Sequence, residues 1–163
     1  MTSARFTNIH SCRKYVRSLR LDPYASAYEL CDQMSSLRDR PIRVVEAPLP
    51  IPGPMGVWIA RARDDVVVVQ ELATGTHRDH IVLHELAHIL CGHEGEQLPD
   101  YQPEIPALET ARGGPVGRLR SAYDSVCERE AELLAAAFAE QLLDDLDEEG
   151  EGSSDVHKYF AGS

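Results

Sequence analysis

Apolar positions along the chain follow a helical period in some stretches and a strand-like density in others. Ala27, Leu30, Cys31, Met34 and Leu37 fall three and four apart, which predicts a helix with one buried face. Asp22-Pro23 reads as its N-cap and first helical residue, and Pro41 stops it just past Arg38. Residues 11–21 carry a short, basic helical pattern. Residues 42–46, 56–61 and 66–70 read as strands, the last β-branched throughout and suited to burial on both faces. Arg63-Asp64-Asp65 between the last two is a turn, so these strands form a hairpin. Between the first two strands, four prolines in the eight residues 47–54 exclude a helix or a central strand, leaving an ordered loop or a sheet edge.

The densest apolar run lies in Ile81-Val82-Leu83-His84-Glu85-Leu86-Ala87-His88-Ile89-Leu90. It predicts a buried helix, with Thr76 as N-cap, a solvated first turn holding His77 and His80, and Gly92 just past its end. A last long helix starts at Asp124 or Ser125 and runs to about Leu146 on Cys127, Ala131, Leu134, Ala135 and Phe138. The pattern is α+β: a small antiparallel or mixed sheet packed on a motif helix and a C-terminal helix. Residues 1–21 read as an N-terminal extension, 22–146 as the domain and 147–163 as an acidic, disordered tail. The connection 93–123, rich in Gly, Pro and Glu, is either a segment that covers a substrate or a disordered one.

Polar groups inside that apolar run change the picture. His84 and His88 are i and i+4, so both rings project from one side of a helix, about 6 Å apart along its axis. Two neutral imidazoles so placed can bind one Zn²⁺. Glu85 between them sits where it can serve as general base towards water at the metal. A catalytic zinc takes three protein ligands and keeps one open position. Glu128 and Glu132 share a face of the downstream helix. Glu128 is the expected third ligand, with Glu132 accepting the outer N–H of a ligating histidine. Glu130 points elsewhere and reads as a solvated charge, though it is the alternative third ligand. Ser125-x-x-Glu128 also fits a capping box, which would turn Glu128 away from a metal; capping by Asp124 would remove that conflict. Tyr123 and His93 are the candidates for stabilising a developing oxyanion.

Charge and cysteine content narrow the function classes. The net charge of −11 over 163 residues argues against direct binding to nucleic-acid phosphates. No apolar run reaches membrane-spanning length and the N-terminus lacks a signal-peptide core, so the expected location is cytoplasmic. Cys12, Cys31, Cys91 and Cys127 form no C-x-x-C pair and read as buried thiols, with Cys91 and Cys127 flanking the motifs.

His84-Glu85-Leu86-Ala87-His88, the following Gly92-His93, and Glu128-Arg129-Glu130-Ala131-Glu132 leading into Leu133-Leu134-Ala135 resemble the motifs of the ImmA/IrrE family of zinc metallopeptidases. The resemblance covers residues 22–143. It departs at Glu132, where that family usually has Asn or Asp. It implies a zincin-like fold of the Glu-ligand type, one zinc ion, and cleavage of a helix-turn-helix repressor in a phage, mobile-element or stress-response circuit. Two other readings stand beside it. One is a zinc-containing regulator that binds a repressor without cutting it. The other is a structural zinc protein, whose closed site would need a fourth ligand from Cys91, His93 or Cys127.

Overall fold

The computed structural model of the chain describes residues 5–94, 118–120 and 123–151. Among the described residues, four helices and four strands follow one another as α1 (Ile9–Ser18), α2 (Ala27–Arg38), β1 (Ile42–Ala47), β2 (Gly56–Ala60), β3 (Asp65–Gln70), α3 (Gly75–Cys91), β4 (Arg118–Arg120) and α4 (Ser125–Glu151). The strands form one mixed sheet in the order β1-β3-β2-β4. The hairpin expected from the turn at residues 63–65 is present as the antiparallel β2–β3 pair. β1 joins the other edge of β3 in parallel, Val44 opposite Val67, and the short β4 pairs antiparallel with β2. The class is therefore α+β. No described helix is long and apolar enough to cross a membrane.

β3 is central, and every one of its residues is buried. Strand alternation divides its valines between two cores. Val67 and Val69 face the larger core with Trp58 and the helices. Val66 and Val68 face the smaller one with Val57, Ile59, Ala47 and Leu49. Burial of each valine contributes roughly 1.5–3 kcal/mol. The proline-rich segment closes this smaller core. Leu49 is held there by Gln70, whose side chain accepts its N–H and donates to its carbonyl at 2.8 Å.

α3 is the hub: it packs on β2 and β3, on α2, and most extensively on α4. It starts at Thr74 rather than Thr76. Gly75 takes a left-handed φ of 53° that a glycine adopts without strain, so the chain enters the helix two residues early. Gly92, at φ 69°, ends it as expected. α2 also departs from its expected start. The cap is Ser26, whose hydroxyl accepts the Glu29 N–H while the Glu29 carboxylate accepts the Ala25 N–H. Reciprocal satisfaction of two free donors outweighs the Asp22-Pro23 signal. Asp22 is instead gripped through its backbone by the side chain of Gln33.

The N-terminal residues are not set apart from the rest of the molecule. Asn8 caps α1 from Ile9, and Phe6, Cys12 and Val16 belong to the same core as Leu134 and Phe138. An Arg13–Glu140 pair at 2.7 Å ties α1 to α4. α4 continues to Glu151, past the expected end near Leu146, because no Pro or Gly stands between Ala139 and Gly150. The expected tail is thus helical as far as residue 151. Its remainder, 152–163, and most of the 93–123 connection, 95–117, lie outside the described residues.

Candidate metal centre

α3 and α4 face each other across the site. Their packing brings the Nε2 atoms of His84 and His88 to 3.0 Å, and carboxylate oxygens of Glu128 to 3.2 Å from His84 Nε2 and 3.5 Å from His88 Nε2. Two donors on one tetrahedral zinc, each about 2.0–2.1 Å from the ion, lie roughly 3.3 Å apart. The three separations bracket that figure, and these residues form one of two groups of potential metal-ligating side chains among the described residues. A divalent cation fits between them. Burial first, then the neighbouring His84 and His88–His93 contacts, push the His88 pKa down to about 2, which keeps this ring neutral as a ligand must be.

Glu128 is free to face the histidines because Asp124 caps α4. Its Oδ1 accepts the N–H groups of Val126 and Cys127 at 3.0 and 2.8 Å. The capping-box alternative at Ser125 does not form. Glu132 approaches His84 Nδ1 to 3.1 Å, but without the alignment of a hydrogen bond, so that nitrogen is left unsatisfied. The other carboxylate oxygen of Glu132 lies 3.7 Å from His80 Nε2.

Glu85 is 6% exposed, and its Oε2 has no hydrogen-bond partner. Burial, then the charge of Glu128, raise its pKa to about 8, against a lowering hydrogen bond from the Trp58 backbone. It can come so near the sheet because β2 begins with Gly56. A Cβ there would stand 2.6 Å from Ile81 Cγ2 and 3.1 Å from Glu85 Oε1. Glu85, His84, Glu128 and Glu132 line an open cleft of about 350 Å³ together with Pro54, Met55 and Gly56. The proline-rich segment is therefore a wall of the site as well as a cover for the core. Sequence periodicity carried no sign of this, since the segment has none. His77 and His80, exposed as expected, also line the cleft.

Of the two oxyanion candidates, Tyr123 lines the cleft and stacks on the His88 ring, with centroids 3.6 Å apart and planes at 12°. His93 meets the Nδ1 edge of the ligand ring, 1% exposed, with Nδ1 2.9 Å from His88 Nδ1 and Nε2 2.8 Å from Glu130 Oε2. That position takes it away from the cleft. Glu130 is likewise not a solvated charge. It is 4% exposed, because α1 and the turn after α3 close over that face of α4 and give its carboxylate partners.

Cys91, His93 and Glu130 form the second group of possible ligands. There, however, the 2.8 Å between His93 Nε2 and Glu130 Oε2 is a hydrogen bond, shorter than the ~3.3 Å expected of two donors on one zinc. Burial raises the Cys91 thiol to about 12 and the Cys127 thiol to about 11 in the metal-free protein. The group around His84, His88 and Glu128 contains three residues, and Cys91, His93 and Cys127 are not among them. Comparison with protein-family models, with curated proteins and with solved structures finds no match.

Proposed function

We propose that this chain is a zinc-dependent endopeptidase of zincin-like architecture that cleaves a protein substrate, of which a helix-turn-helix repressor in the cytoplasm is the class we favour. One observation carries the reading. Three donors converge at metal-ligand spacing on the wall of an open cleft, while a buried carboxylate beside them keeps one oxygen unpartnered.

His84, His88 and Glu128 would hold the ion. When bound, zinc supplies Lewis-acid chemistry, polarising a carbonyl and acidifying water. Glu85 receives a proton from the attacking water on its unpartnered Oε2 and delivers it to the leaving amine. Tyr123, on the cleft wall, would donate to the carbonyl oxygen as charge develops. The cleft is open and is lined by Pro54, Met55 and Gly56 as well as by His84, Glu85 and Glu128, which suits an extended peptide. The net charge of −11 favours a basic, DNA-binding protein as substrate over DNA itself.

The test is incubation of the zinc-loaded protein with a helix-turn-helix regulator, read by mass spectrometry for new termini. Fragments with the wild type and none with Glu85→Gln support the reading. A stable complex without fragments would favour the non-cleaving regulator instead.

A further inference from the structure

A row of buried polar atoms that the proposed chemistry does not use lies behind His88, away from the cleft. His88 Nδ1 is 2.9 Å from His93 Nδ1, and His93 Nε2 is 2.8 Å from Glu130 Oε2. Glu130 Oε1 accepts the backbone N–H of Phe6 at 2.6 Å. The row joins α3, the turn after it, α4 and the chain entering α1. The left-handed Gly92 makes it possible. That glycine turns the backbone so that the His93 N–H donates to His88 O at 3.1 Å and the two rings meet edge to face.

Proton bookkeeping along the row leaves one arrangement for neutral rings. An ionised carboxylate only accepts, and Glu130 already takes the Phe6 N–H on its other oxygen. His93 Nε2 therefore carries the proton of the His93–Glu130 bond. The neutral His93 ring then has a bare Nδ1, which accepts. His88 Nδ1 must donate to it, and His88 Nε2 is left bare, pointing at His84 and Glu128. A ring nitrogen that faces a metal needs that tautomer, and the partner on the other nitrogen selects it.

We infer that His93 and Glu130 are positioning residues which lock the His88 ring in its Nδ1–H tautomer, and that the N-terminal segment, through the Phe6 N–H, is a working part of the metal centre. The role of the bare Nε2 rests on the proposed metal site; the tautomer itself does not. His84 has no equivalent support, since its Nδ1 is unsatisfied. Of the two imidazoles, His88 is the preorganised one.

Long-range ¹H–¹⁵N correlation of the imidazoles in the metal-free wild type reads the tautomer. Competition with a chromophoric chelator reads zinc affinity. We expect His88 protonated on Nδ1, and a roughly 10–100-fold weaker affinity in His93→Leu. His93→Asn, which keeps an acceptor near the position of Nδ1, should recover most of that loss and keep the tautomer. Phe6→Pro, which deletes the N–H, should weaken zinc more than Phe6→Leu, which keeps it. A proton on His88 Nε2 in the wild type would overturn the inference, as would unchanged tautomer and affinity in a folded His93→Leu protein. If His93→Leu does not fold, the wild-type tautomer and the paired Phe6 variants decide. Peptidase activity enters none of these readouts. Absent cleavage with the tautomer and affinities as expected would count against the proposed reaction and leave the row of contacts standing.

Discussion

Asp124 occupies the cap of α4 and thereby leaves Glu128, one turn on, facing two histidines of α3. The Asp124 carboxylate accepts the Cys127 N–H at 2.8 Å, and Glu128 Oε2 lies 3.2 Å from His84 Nε2. The same relationship orders three variants. Glu128→Ala removes a ligand and should lower zinc affinity by more than about 100-fold, whereas Glu132→Ala removes only a misaligned neighbour of His84 and should cost about tenfold or less. Asp124→Ala removes the acceptor of the Val126 and Cys127 N–H groups and frees Ser125 to cap the helix with Glu128, so it should lower the melting temperature and weaken zinc, but less than Glu128→Ala does. Chelator competition and thermal melting check all three, and a larger loss in Glu132→Ala than in Glu128→Ala would move the third ligand.

Glu85→Gln separates binding from chemistry. The three donors are untouched, so zinc stoichiometry should stay at one per chain. The amide cannot accept the proton, so turnover of a cleaved substrate should drop by about 10²–10⁴-fold. Metal analysis alongside a cleavage time course measures both. Wild-type turnover in this variant would remove Glu85 from the reaction.

What could be read from the chain divides along the range of the interaction. The shared face of the i, i+4 histidines was legible because a helix converts spacing into direction with no help from the rest of the fold, whereas Glu128 reaches them only through the packing of α4 on α3 and the Asp124 cap, which the sequence left open. The β2–β3 hairpin was legible from its turn, and α3's end from Gly92. Glu130 was not. It lies about 200° around the helix from Glu128, and whether that face meets water or protein depends on Phe6, in the chain entering α1, and on His93, which reach it from 124 and 37 residues away in sequence. The parallel pairing of β1 with β3 also depends on chain path, and the three residues of β4 are too few to show a period. At α2, two local signals competed, and Ser26-x-x-Glu29 prevailed over Asp22-Pro23.

Gly56→Ala tests whether the sheet edge sets the position of Glu85. The new methyl would meet Ile81 Cγ2 at 2.6 Å and the Glu85 side chain at 3.1 Å. Overpacking of this kind costs about 1–3 kcal/mol. Glu85 lies on the cleft side of the clash and the metal donors lie farther off, so cleavage should fall while zinc affinity holds. Melting curves, chelator competition and a cleavage assay read the three effects separately. Equal loss of zinc and activity would mean that the strain passes through α3 as a whole.

Asp65, at the start of β3, anchors the end of the sheet and links acid stability to the fold. Its carboxylate is buried and accepts from Arg40 at 2.9 Å, Trp58 Nε1 at 3.0 Å and Arg38 at 3.1 Å. Burial alone would raise its pKa. The bonds from Arg40, Trp58 and Arg38 outweigh that and hold it below its ordinary value of 3.8. A carboxylate with a depressed folded-state pKa adds stability above its unfolded value, and the contribution disappears as pH falls through the folded value. The window therefore lies below about pH 4. Asp65→Asn keeps an acceptor for Trp58 but leaves two guanidinium groups without their counter-charge. It should cost about 3 kcal/mol at pH 7 and progressively less as pH falls through the folded-state value of Asp65, where the wild type loses the charge as well. Denaturant unfolding of both proteins from pH 7 downward gives the difference directly. A gap that persists after the wild-type carboxylate has been protonated, followed by its carboxyl NMR shift, would show that the side chain acts by shape and not by charge.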